Sequence, residues 1–260
     1  MKYHQIDRNL FIKNREKFVA QMAPQSLAVF NSNDIYPVSA DSTLPFAQHR
    51  DIFYLSGVDQ EESILVLFPD AFEEKHREVL FLRETNEHIA IWEGEKLTKE
   101  RAFEVSGIKT VYWLSDFPTI FRKMMVEAEN VYINNNEHYR ASVETETRED
   151  RFIKKLKQEY PAHQYLRSNP ILQRLRSVKE TEEIALIQHA CDITEKGFRR
   201  ILGFVKPGVW EYEIEAEFAH EFLRNRSKGF AYTPIIASGN NANVLHYIEN
   251  NQQCKDGDLI

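Results

Sequence analysis

Between residues 26 and 133 short apolar runs alternate with stretches patterned as helices, and this alternation restricts the chain more than any other feature does. Residues 26–30, 63–68, 78–83, 89–92, 110–113 and 131–133 read as strands, rich in Val, Ile, Leu and Phe. Arg8 to Met22 carries an apolar stripe of Leu10, Phe11, Phe18, Val19 and Met22, the spacing of an amphipathic helix. Further helices are expected near Lys99 to Val105 and Asp116 to Glu127. Together these imply an α/β domain with a mixed sheet.

The texture then changes. Residues 137–167 are polar and charged, a surface segment with one helix, and Asn169-Pro170 marks a boundary because a residue before proline avoids the helical region. We therefore expect one domain over 1–169 and a second over 170–260. In the second, Ser177 to Glu180 has capping-box spacing. Ile184, Ile187, Cys191, Thr194, Phe198 and Ile201 recur every three or four residues as one buried face. Lys206-Pro207-Gly208 stops that helix, and another follows from about Tyr212. Residues 233–239 and 244–247 read as two strands around a Gly/Asn turn. No internal repeat is evident.

A net charge of −7, with neither half basic and no Lys/Arg stripe interleaved with aromatics, argues against nucleic acid as a partner. The longest apolar run, residues 64–68, is too short to span a membrane. The N-terminus lacks an apolar signal core, and two cysteines without metal or CxxC spacing suit a reducing compartment, so cytoplasmic residence is expected.

Catalytic motifs are scarce. Nine histidines include no HxH and no HExxH. Glu211, Glu213, Glu215 and Glu217 alternate, but on a helix they spread around the cylinder as a solvated face. The stretch from Ala237 to Asn250 reads, from pattern alone, as a hairpin with His246 on its rim. Trp92 reads as a hairpin aromatic packed on the sheet.

Those same stretches carry a resemblance. Phe230-Ala-Tyr-Thr-Pro-Ile-Ile-Ala-Ser-Gly-Asn, then Leu245-His246-Tyr247, then Asp256-Gly257-Asp258-Leu259, resemble the first part of the pita-bread metallopeptidase domain. That domain is shared by aminopeptidase P, prolidase, creatinase and methionine aminopeptidase. The segment from Leu172 to Ile184 is similar to its entry, while residues 53–58 and 91–97 resemble the aminopeptidase P N-terminal domain. The similarity runs over nearly the whole chain. It implies an α/β domain of the creatinase/aminopeptidase P N-terminal type, followed by the first, incomplete part of an α+β pita-bread domain.

It also implies a function: removal of the N-terminal residue from peptides with proline in second position. Two manganese ions would be held by carboxylates and an imidazole lying beyond Ile260, so no metal ligand is expected here, and the chain alone is expected to be inactive. His246 matches a histidine that orients substrate and passes protons. Tyr232 and Tyr247 are candidates for lining the cleft, and Trp92 for binding substrate across a homo-oligomer interface, at the mouth of a neighbour's active site. A prolidase-type dipeptidase, or a non-catalytic oligomerisation or partner-binding module, remains the alternative.

Overall fold

The computed structural model describes residues 3–140 and 144–260. Ile6–Lys179 form one compact unit, and Glu180–Ile260, with the N-terminal residues to Gln5, form another.

The first unit is built on six strands: β1 (Ser26–Asn31), β2 (Ile64–Leu67), β3 (Glu78–Leu82), β4 (Thr110–Trp113), β5 (Asn130–Ile133) and β6 (Gln164–Arg167). Their order is β4-β3-β2-β1-β5-β6. β2 pairs antiparallel with both β1 and β3, whereas β4, β5 and β6 join in parallel, so the sheet is mixed as expected. Both faces are covered, and for that reason the central strands are almost wholly apolar. Ala28, Phe30, Leu65 and Leu80 point into a core beneath α1 (Arg8–Val19) and α2 (Arg50–Ser56). Leu27, Val29, Val66 and Phe81 point the other way, with Phe121, Met124 and Met125 of a second helical layer.

Three readings of this unit change. Residues 89–92 are not a strand but lie in α3 (Glu87–Glu93), because Asn86 caps the helix through its side chain, accepting from the Ile89 amide at 2.9 Å. Ile91 and Trp92 are exposed there rather than packed on the sheet. The polar sequence Gln164 to Arg167, read as surface, supplies the edge strand β6. Asn169-Pro170 opens a helix: after α4 (Lys99–Ser106), α5 (Phe117–Glu127) and α6 (Arg148–Glu159) comes α7 (Asn169–Ser177), with its proline in the first turn, where a missing N–H costs nothing. Ile171 and Leu172 of α7 belong to the first core, and the two units divide at Lys179/Glu180.

In the second unit α8 (Thr181–Phe204) and α9 (Glu211–Arg224) pack on each other. Glu180, not Ser177, begins the capping box of α8, paired with Glu183. The continuous apolar face expected on α8 is not buried: Ile184, Ile187 and Phe198 are more than half exposed, and the contact stripe is Ile193, Gly197 and Ile201. Cys191 is exposed too, while Cys254 is buried. The hairpin expected at 233–247 is absent. Its backbone donors go to side chains, Ile236 to Asn250 Oδ1 at 2.9 Å and Ser238 to Glu211 Oε1 at 2.7 Å. The turn itself is a 3-10 helix, Gly239–Asn243.

Candidate functional site

A buried polar cluster in the second unit is centred on Glu211, in the first turn of α9. This carboxylate is fully buried and accepts four hydrogen bonds. One oxygen takes the amide and the hydroxyl of Ser238, both at 2.7 Å. The other takes the Tyr247 hydroxyl at 2.6 Å and the Gln252 amide at 2.9 Å. Burial pushes the Glu211 carboxyl up, but Tyr247, Gln252 and Ser238 outweigh it and hold the group below the ordinary carboxylate range. The Tyr247 hydroxyl is raised, by burial and then by its bond to the ionised Glu211.

His246 sits on the loop this cluster fixes, immediately before Tyr247, and its side chain is exposed. Tyr247 is only 8% exposed, with its hydroxyl committed to Glu211 and Asn251. Tyr232 is 76% exposed. Trp92 belongs to the first unit, on α3, and is 77% exposed beside the equally open Ile91. His246 and Tyr247 are chain neighbours, the first exposed and the second buried against Glu211.

The alternating glutamates are not one solvated face. Glu211 is the anchor just described; Glu213 accepts from the Trp210 amide, Glu215 from the Asn250 side chain, and Glu217 pairs with Arg200. Glu211 opens a helix shortly after the Lys206-Pro207-Gly208 stop, where the positive end of the helix dipole favours a carboxylate, and that position was the available signal.

In the first unit a surface cleft of about 400 Å³ is lined by residues including His49, Asp51, His138, Gln173 and Arg176. Arg176 bonds Asp51 at 2.6 Å. Burial lowers the basicity of His49, against the opposing pull of Asp51. Among the described residues no group of three or more His, Cys, Asp or Glu side chains could hold a metal ion.

Comparison with known proteins places both units. Residues 11–132 match the family described as aminopeptidase P, N-terminal domain, and residues 185–260 match metallopeptidase family M24. The Xaa-Pro aminopeptidase of Escherichia coli is 31% identical over 257 residues, covering 98% of this chain and 58% of the relative. The chain thus resembles aminopeptidase P over nearly its whole length.

Human Xaa-Pro aminopeptidase 3 is 28% identical, with 92% of this chain and 47% of the relative covered. A solved Escherichia coli aminopeptidase P superposes with a TM-score of 0.83 at 30% identity, covering 98% of this chain and 58% of that one. The Pseudomonas aeruginosa aminopeptidase PepP gives 0.86 at 25%, with coverages of 98% and 57%. The chain therefore spans a little over half the length of the bacterial relatives it matches. The expected fold, an aminopeptidase P N-terminal domain followed by the start of an M24 domain, is borne out. The metallopeptidase family that residues 185–260 match implies a divalent metal, but the donor set for one is not assembled by the described residues. No described helix is long and apolar enough to cross a membrane.

Proposed function

We propose that this chain is the N-terminal portion of a manganese-dependent Xaa-Pro aminopeptidase, acting in the cytoplasm on peptides with proline in second position, and that these 260 residues alone hydrolyse none. The observation that carries the reading is the succession, in one chain, of an aminopeptidase P N-terminal domain and an M24 segment, both superposing on a bacterial aminopeptidase P over 98% of this chain.

The chemistry suits the residues present. A Xaa-Pro bond is a tertiary amide with no N–H, so a peptide is recognised through its carbonyl oxygen and its free amine. His246 is given the role of hydrogen-bonding that carbonyl region and passing protons. Tyr232, exposed in the same unit, is a candidate for the cleft wall. Tyr247 is assigned to support His246, because its hydroxyl is already bonded. The metal ions would supply the nucleophile when bound, and their ligands are assigned to the part of the relatives' length that this chain does not span.

Trp92 and Ile91, exposed on α3, are assigned to a contact with a second copy of the chain, since aromatic anchors dominate such interfaces. The test is release of the first residue from Xaa-Pro-Xaa peptides with added manganese. It compares this chain with the same chain joined to the remaining M24 portion that its relatives carry. Turnover by the joined form alone is the expected result. No turnover by either overturns the enzyme reading in favour of an interaction module, and turnover of dipeptides only points to a prolidase.

A further inference from the structure

We propose that Glu211 is a positioning residue for His246, one buried carboxylate that pins both ends of the loop presenting that histidine; the inference rests on the role given to His246 above. Ser238 lies at the entry of the loop, just before the Gly239–Asn243 turn. Tyr247 directly follows His246, and Gln252 lies at the exit. All three are tied to the two oxygens of Glu211. The Glu211 amide also donates to the Gln252 carbonyl at 2.9 Å, so the exit of the loop is held at two points.

The arrangement selects a charge as well as a shape. All four groups facing the carboxylate are donors, and two of them, the Ser238 and Gln252 amides, are backbone groups that cannot turn into acceptors. A glutamine of the same outline fails in both orientations. Its NH2 must face the Ser238 N–H in one and the Gln252 N–H in the other, and an unsatisfied buried donor is costly. An ionised carboxylate satisfies every partner at once, strengthened by its place at the start of α9.

The loop can be released without dissolving the unit around it. Asn250, 3% exposed, separately bonds the Ile236 amide, the Pro234 carbonyl and Glu215. Cys254 exchanges backbone bonds with Gly208 and Val209. α8 and α9 keep their own packing at Gly197, Ile201 and Ile214.

The experiment compares the 260-residue chain with Glu211→Gln and Tyr247→Phe, read by amide exchange at single residues and by the proton–carbon signal of the His246 ring. In Glu211→Gln the Ser238 and Gln252 amides should exchange at least ~10-fold faster, with the His246 ring signal moving toward that of free histidine, while Ile201 and Ile214 keep their protection. Tyr247→Phe should move the His246 signal and leave the Ser238 amide protected. Unchanged Ser238 and Gln252 exchange in Glu211→Gln overturns the proposal. So does uniform loss across α8 and α9, which makes Glu211 a residue of the fold, and so does an unmoved His246 signal in both variants. The role of His246 is tested apart from this, by kcat of His246→Ala in the joined form. Full activity there removes that role and leaves the loop measurements standing as they are.

Discussion

Arg15 heads the fully buried side chains of the protein by size, and its surroundings explain how a guanidinium is tolerated there. It donates to the Leu55 carbonyl at 2.8 Å and the Ser106 carbonyl at 3.0 Å, the last turns of α2 and α4, and pairs with Glu78 at 3.2 Å. Two helix C-termini thus converge on one cation. Both ends are built alike, although the sequence shows no long repeat. Ser56 and Ser106 each bond back one turn, to Ile52 and Ala102 at 2.6 and 2.7 Å, and each accepts from the residue two ahead at 3.1 Å. Gly57 and Gly107 follow at φ 69° and 74°, pressed so close to Phe11 and Ile12 of α1 that no Cβ fits. Arg15→Met should cost about 3 kcal/mol or more in urea unfolding, because two carbonyls and Glu78 lose their partner; Arg15→Lys should cost less, keeping the charge but reaching fewer acceptors. A change below about 1 kcal/mol for Met would contradict this account. Glu149 is the opposite case, a buried carboxyl that accepts from the Asn31 amide and side chain yet has one oxygen with no partner. Burial is the main cause of its being pushed from 4.5 to about 8, against the lowering effects of Asn31, Asn134 and Arg148. The unfolded chain releases this proton near 4.5 and the folded protein near 8, so the folded state binds more protons in between. Its contribution to stability is complete below the first value and is lost as pH rises to the second, by roughly 1.4 kcal/mol per pH unit. Glu149→Gln, neutral throughout, should match the parent near pH 5 and exceed it by ~2 kcal/mol or more near pH 9 in denaturant titrations.

At the scale of elements, what was legible in the sequence was whatever is buried on two sides. The runs that became β1, β2 and β3 are apolar throughout because helices cover both faces of the sheet, and no helical spacing competes with that signal. Residues 89–92 misled because four apolar residues carry no period, and the deciding residue, Asn86, lies outside the run. The loop from Ser238 to Gln252 was unreadable for a deeper reason. Its conformation depends on Glu211, which is distant in sequence and hidden among alternating glutamates. On α8 the period was read correctly and its burial was not. Facing α9, the helix buries the stripe through Ile193, Gly197 and Ile201, leaving Ile184, Ile187 and Phe198 outside. Gly197 marks the crossing, where a Cβ would stand 2.8 Å from the Phe218 ring. Gly197→Ala should therefore destabilise the second unit by about 1 kcal/mol, even though alanine favours a helix by nearly that much, since the ring must shift in a close-packed contact. Thermal unfolding followed on the second unit checks the sign, and an increase in stability would show the crossing to be looser than the geometry requires.

The two units differ in how they are held together, and that difference makes a prediction for the molecule as a whole. Ile6–Lys179 closes two hydrophobic cores around a six-stranded sheet, with helices on each face. Glu180–Ile260 has a small core of Ile201, Val209, Ile214, Ile236 and Cys254, with no strand among its described residues. Much of its apolar surface, Leu202, Leu245 and Ile248 included, is exposed. Stability per residue follows the apolar area removed from water, so the first unit should hold its structure under conditions that melt the second. Amide exchange should show global-opening protection for Ala28, Val66 and Leu80 of the sheet. The amides of α8 should open at least ~100-fold more often. A fragment ending at Lys179 should retain a single cooperative transition of its own. Equal protection in α8 and in the central strands would mean that apolar exposure is a poor guide to local opening in this chain. With the expected inequality, His246 lies in the less protected unit, on a loop whose order depends on a few polar anchors. The Glu211 cluster then decides how the loop is presented, because the small core beneath it is too limited to do so.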